Sequence, residues 1–272
     1  IELNGAAIEM NKSAFNWGRL AAVDMAKVKE TANGIETAAT ATMLAAPMDD
    51  AKISRTLDEE IARRVAFLTD YQDAAYAAKY QALVDKVRSA EQAKAPGQTA
   101  LSEAVARYAF KLMAYKDEYE VARLYTSGEF EKQIKATFDG DYKIHFNLAP
   151  PTFAKKDADG RLVKREFGPW MLRAFKLLAR LKGLRGGALD FFGKTEERKM
   201  ECQLITDYFA NVDELLSKLD RDNLQLAVDI AAIPEIIRGY GHIKEANFAK
   251  AAAKREQLLD AWRNNKPAAI AA

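Results

Sequence analysis

Cysteine is nearly absent: Cys202 is the only one among 272 residues. One thiol excludes an internal disulfide and fits a reducing cytoplasm. It also excludes an iron–sulfur cluster held by four cysteines of this chain. Histidine is almost as scarce, with only His145 and His242, and no His/Cys group has metal-ligand spacing. No apolar run is long enough to span a bilayer, and no signal-peptide pattern is seen. A Gly-rich phosphate loop and a Ser/His/Asp pattern are missing too. The glycines of LKGLRGG at 181–187 lack the preceding strand and following helix that a nucleotide loop needs.

What is present is ordinary for a soluble globular protein: 49% hydrophobic and 29% charged residues, enough for a sizeable core in one large domain or two smaller ones. The chain opens at Ile1, already inside a helical pattern, and reads as a piece of a longer polypeptide. Turn formers are unevenly spread. Residues 138–200 hold seven of the fourteen glycines and three of the seven prolines, so turns gather there while the flanks read as long helices. Charge follows the same division. From Lys155 to Lys199 there are 13 basic and 6 acidic residues, a net of +7, against −5 for the rest of a chain whose total is +2. A functional surface is expected in this basic, turn-rich segment.

Apolar spacing predicts a mainly α protein with a small β-hairpin inserted near 142–167. Residues 1–46 read as helix, with Leu3, Met10, Ala14 and Trp17 as apolar positions. Leu57 to Val87 reads as a second long helix, with one gap in its repeat between Leu68 and Tyr76. AKAPGQT at 93–99 is a break. A third helix, capped by Ser102, carries Leu101, Val105, Tyr108, Leu112, Tyr115, Tyr119 and Ala122 on one face and is ended or interrupted at Gly128. Tyr142, Ile144, Phe146 and Leu148 then alternate with polar residues as in a strand, which Pro150-Pro151 stops. A turn at Asp157, Asp159 and Gly160 allows Leu162 to Phe167 to return as its partner. Gly168-Pro169 opens a helix buried through Met171, Leu172, Phe175, Leu178 and Leu181, which LRGG at 184–187 ends. Thr195 begins the next helix, Asp222 is a cap for 223–232, Pro234 starts a short turn, and the last helix uses Phe248, Ala252, Leu258 and Trp262. The tail PAAIAA is expected to be disordered.

Candidate site residues come from charge and loop chemistry, each with a plain structural alternative. Arg161, Lys164, Arg165, Arg173, Arg185, Arg198 and Lys199 form a basic group that suits a phosphate, a carboxylate or an acidic partner protein. The alternative is a solvated face paired with Glu166, Glu196 and Glu197. Nucleic acid is disfavoured because net charge is small and no recognition motif accompanies the group. His145 is first a surface or hydrogen-bonded histidine and second a general base. Arg238, His242 and Lys244 in RGYGHIKE suit a tight loop touching an anion, or a simple connector between helices. Trp170 and Phe191-Phe192 read as core or interface anchors, and Cys202 as an inert buried thiol.

Four stretches together resemble a known family: AYKDEYEVARLY at 114–125, HFNLAPP at 145–151, KREFGPWMLRAFKLLARLKGLRG at 164–186 and RGYGHIKE at 238–245. With IELNG at 1–5 and FNWGR at 15–19 they resemble the C-terminal part of the long, fused bacterial indolepyruvate ferredoxin oxidoreductases. The resemblance implies two parts: the end of a gamma-type oxidoreductase domain over 1–46, and a helical C-terminal domain over 50–272. It further implies membership of an enzyme that decarboxylates aryl 2-oxoacids to acyl-CoA with thiamine diphosphate, coenzyme A and iron–sulfur clusters, and passes electrons to ferredoxin. None of those cofactors is expected within this segment, and no catalytic residue is carried over. The expected partners are the upstream catalytic domains, ferredoxin and a second copy of the enzyme, in the cytoplasm, with neither nucleic acid nor membrane. The competing expectation is a free-standing helical binding or scaffold protein.

Overall fold

A computed structural model describes residues 8–33, 54, 56–149, 163–239 and 242–264, without the side chains of residues 8–10, 30–33 and 242–245. The chain divides into two units, residues 1–53 and 54–272. In the first, helices α1 (Ile8–Val23) and α2 (Met25–Asn33) are separated by Asp24. The Asp24 carboxylate accepts from the Lys27 amide at 3.0 Å and so restarts the helix. Phe15, Trp17, Val23 and Met25 of this unit are exposed. Leu3 and the stretch 34–46 lie outside the described residues.

The second unit is mainly α with a two-stranded hairpin, as the spacing predicts. Its large lobe is built from α3 (Leu57–Tyr71), α4 (Ala74–Lys94), α5 (Ala100–Met113), α9 (Glu196–Lys218), α10 (Leu224–Ala231) and α11 (His242–Arg263) around one apolar core. Its small lobe holds α6 (Glu118–Thr126), α7 (Glu129–Thr137), β1 (Phe146–Leu148), β2 (Arg165–Phe167) and α8 (Met171–Arg180). A second apolar cluster lies within it, centred on Ala122, Phe146 and Phe175. Tyr125 stacks on Phe175 at 5.2 Å, and Phe146 meets both rings edge-on. The strands are antiparallel, with Phe146 opposite Phe167.

Two long helices expected from apolar spacing are broken by aspartates. Asp73 caps α4, accepting from the Tyr76 amide at 2.7 Å, at the gap between Leu68 and Tyr76. Asp117 caps α6 in the same way, accepting from Glu120 at 2.8 Å. The apolar repeat skips at the first break, but it runs on through the second because Leu112 and Tyr119 are both buried, so the pattern does not register the cap at Asp117.

Other caps differ from expectation as well. Ser102 does not cap α5. The helix starts two residues earlier, and the buried Glu91 carboxylate of α4 covers its N-terminus, accepting from the amides of Leu101 at 2.8 Å and Ser102 at 2.9 Å and from the Ser102 hydroxyl. Asn223, not Asp222, precedes α10, within a turn tied by Asp220. Gly128, at φ 87°, opens α7. Helix α8 begins at Met171, two residues after Pro169, and ends at Arg180 before a 3-10 turn over Lys182–Leu184. Leu181 is exposed, against the expectation of a buried position. Thr195 caps α9 as expected, and Pro234 lies in a 3-10 turn over Ile233–Ile236. Pro150, Pro151, the turn at 157–160 and the tail lie outside the described residues.

Candidate functional site

The two lobes meet at a buried polar cluster that spacing did not reveal. Arg185 projects from the segment after α8, and Asp117 from the start of α6; their side chains are 2% and 3% exposed. The guanidinium donates twice to the carboxylate, Nε to Oδ2 at 2.6 Å and Nη2 to Oδ1 at 2.9 Å. Its third nitrogen donates to the Tyr71 carbonyl at the end of α3, at 2.6 Å. The same group lies 3.7 Å from the centroid of the Tyr71 ring. One cation therefore joins α3, α6 and the end of α8, and making all these contacts at once requires the planar fork of arginine.

Two further contacts repeat this bridge. Arg123 of α6 lies over the Phe67 ring of α3 at 4.8 Å while pairing with Glu120. Lys182 donates to the carbonyl of Asp70. Beside them, the buried Asp190 carboxylate gathers the loop after α8, accepting from the amides of Gly186, Phe192 and Gly193 and from the Tyr119 hydroxyl at 3.2 Å. A Cβ on Gly193 would stand 2.5 Å from Asp190 Oδ2, so any side chain there forces the Asp190 carboxylate to shift.

Burial shapes the chemistry of this region. It pushes the Tyr119 phenol up to about 12, helped by the Asp190 charge. Burial likewise raises Tyr71, with Asp117 adding to it, and raises Tyr76 and Tyr115, where the Cys202 thiol adds. These phenols are held as neutral hydrogen-bond donors: Tyr71 to the Tyr115 carbonyl at 2.8 Å and Tyr76 to the Met113 carbonyl at 2.9 Å. Glu118 is raised by burial, partly offset by Arg198.

The sequence-predicted basic group does not form one surface. Arg185 and Arg198 are buried, which corrects the expectation that both belong to an exposed basic face. Arg198 pairs with Glu201 and lies 3.9 Å from Glu118, with its guanidinium over Tyr115. Each is matched by carboxylates that only tertiary folding delivers or that share its own helix. Lys164, Arg165 and Arg173 are exposed on the small lobe. Lys199 is exposed and pairs with Glu196 at 2.8 Å. Arg238 is exposed and pairs with Glu235. His145 is exposed, its Nδ1 2.6 Å from Glu166, so Glu166 serves the histidine. Arg161 and the side chains of His242 and Lys244 lie outside the described residues. Cys202 is exposed, contrary to the buried thiol expected, because it lies on the outer side of α9, with its sulfur 3.9 Å from the Tyr115 hydroxyl.

What the small lobe does present is a mixed apolar and basic face on α8. The inner side of the helix, through Phe175, is spent on the small core. The outer side carries Trp170, Leu177 and Leu181, exposed to 58%, 62% and 41%, interleaved with Arg173 and Arg180. All nine large apolar residues exposed among the described part of the second unit lie between Leu124 and Phe191, so the unit's sticky surface belongs to the small lobe and its connecting loop. A cavity between α9, α10 and α11 measures only about 30 Å³, room for a water and not for a cofactor.

Among the described residues no group of three or more His, Cys, Asp or Glu is placed to hold a metal ion, and no helix is long and apolar enough to cross a membrane. No curated protein and no solved structure matches the chain. A family pattern covers residues 57–257, from the start of α3 into α11 and across both lobes, and on that match the chain belongs to a family of unknown function (DUF6537).

Proposed function

We propose that this chain is a non-catalytic, partner-contacting part of a thiamine diphosphate-dependent aryl 2-oxoacid:ferredoxin oxidoreductase that forms acyl-CoA. The four sequence stretches that resemble the fused indolepyruvate enzymes motivate the assignment. The single observation that carries the contact role is the outer face of α8, where apolar and basic side chains stand exposed together on a lobe clamped by Arg185. In this reading thiamine diphosphate, the iron–sulfur clusters and the coenzyme A chemistry belong to other parts of the enzyme. This chain supplies a rigid helical body in the cytoplasm.

The free-standing helical binding or scaffold protein remains the second reading, favoured by the self-contained core of the large lobe. An antibody to this chain separates the two. Captured from native extract, the antigen is expected in a band several times larger than 30.3 kDa, and the capture is expected to reduce ferredoxin when given indolepyruvate and coenzyme A. A single band near 30.3 kDa with no such activity would sink the oxidoreductase assignment.

A further inference from the structure

We infer that the outer face of α8 docks an acidic protein surface with an apolar centre. This rests on the partner-contacting reading above only for the idea that the chain works bound to another protein.

The residues at issue are Trp170, Arg173, Leu177 and Arg180, spaced three or four apart, and Leu181, four after Leu177, all therefore on one side of the helix. Between Phe167 and Leu189 the chain has five cations and no carboxylate. Two of the five are used internally: Arg185 on Asp117 and Lys182 on the Asp70 carbonyl. Arg173, Lys176 and Arg180 make no ion pair among the described residues, whereas cations elsewhere on this unit do, such as Lys86 with Asp213 and Arg263 with Glu214. Lys176 feels the Glu131 carboxylate of α7, but Arg173 and Arg180 have no carboxylate partner among the described residues. A helix side with two such arginines is complemented by a surface that carries the carboxylates. The leucines and Trp170 give that complement an apolar centre of the kind that dominates docking energy.

A membrane fits less well. A helix lying on anionic lipid needs a continuous apolar side with cations along its flanks. The continuous apolar side of α8, formed by Met171, Leu172, Phe175 and Leu178, is already packed in the small core. What remains exposed, Trp170, Leu177 and Leu181, is a short stripe with Arg173 and Arg180 along one edge only.

The test uses the full chain and a labelled synthetic helical peptide bearing a leucine stripe edged by glutamates. Its glutamine twin and phosphatidylglycerol vesicles serve as alternatives. The acidic peptide is expected to bind, the twin roughly tenfold more weakly, with affinity falling as salt rises. The triple variant Arg173→Glu, Lys176→Glu, Arg180→Glu is expected to lose roughly tenfold or more. Leu177→Ser is expected to lose about tenfold, while Lys86→Glu changes nothing. All five substituted positions are exposed, so circular dichroism and the unfolding midpoint should be retained.

No binding of the acidic peptide, binding that survives both α8 variants, or tighter binding to the vesicles would each overturn the inference. So would self-association in sedimentation that Leu177→Ser abolishes, since the face would then belong to a second copy. Because ferredoxin is not among the probes, peptide docking can succeed while the captured complex shows no oxidoreductase activity. The two ideas therefore fail separately.

Discussion

Removing the Arg185 side chain should release the small lobe before it unfolds the large one. The magnitude follows from the contacts. Both members of the pair are at most 3% exposed, so Arg185→Ala leaves the Asp117 carboxylate buried without its cation. Breaking a buried pair from one side costs about 3–5 kcal/mol. The lost stacking on Tyr71 overlaps with that figure and is not added separately. An expected loss of about 4 kcal/mol is a large part of the roughly 5–15 kcal/mol that holds a typical domain. Arg185→Lys should recover less than half of it, because an ammonium cannot span both carboxylate oxygens and the Tyr71 carbonyl at once.

Urea unfolding followed by circular dichroism measures the loss. Hydrogen exchange locates it, with protection expected to fall first in α6 and α8 while α4 and α9 keep theirs. Asp117→Ala should cost a similar amount, since Asp117 also caps α6. The double variant should cost about 1–3 kcal/mol less than the sum of the two. Strict additivity, or a loss below about 1 kcal/mol for Arg185→Ala, would refute the view that this pair clamps the lobes.

Four further outcomes are expected. Glu91→Ala should destabilise by about 2–3 kcal/mol in urea unfolding, because two amides at the start of α5 lose their buried acceptor; Ser102→Ala should cost only about 1 kcal/mol. Gly193→Ala should cost about 1–3 kcal/mol through the clash with Asp190, whereas Gly183→Ala meets open space and should leave the unfolding midpoint within experimental error. Raising the pH should unfold the protein. Tyrosines ionise near 10 when unfolded, but Tyr119 keeps its proton to about 12 and Tyr71, Tyr76 and Tyr115 are raised in the same direction, so their contribution is complete below about pH 10 and falls as pH rises through the folded values; phenolate absorbance accounting for all ten tyrosines near pH 10 with no loss of helix would contradict this. Cys202 should react with a thiol reagent in the native protein at one equivalent, and a thiol silent until denaturant is added would refute its exposed position.

The helical class, the hairpin and the uneven surface were legible in the chain itself. Period-2 alternation through Phe146 and Leu148 marks β1, although the strand starts later than the alternation from Tyr142 and Ile144 suggests, and the repeats in α5 and α9 mark core-facing helices, because each is a local consequence of which face is buried. The gap between Leu68 and Tyr76 even marks the end of α3. The concentration of turns and positive charge in 138–200 marks the region that carries the exposed face.

Tertiary structure decided which charges remain on that face. Arg173 and Arg185 look alike in sequence, yet one stands in water and the other meets Asp117, 68 positions away. An arginine's role depends on whether a carboxylate reaches it, and that distance is set by how α3, α6 and α8 pack, not by spacing along the chain. For the same reason spacing singles out neither Asp117 nor Glu91. Each sits where two elements meet, and the chemistry of a meeting point is absent from either element alone.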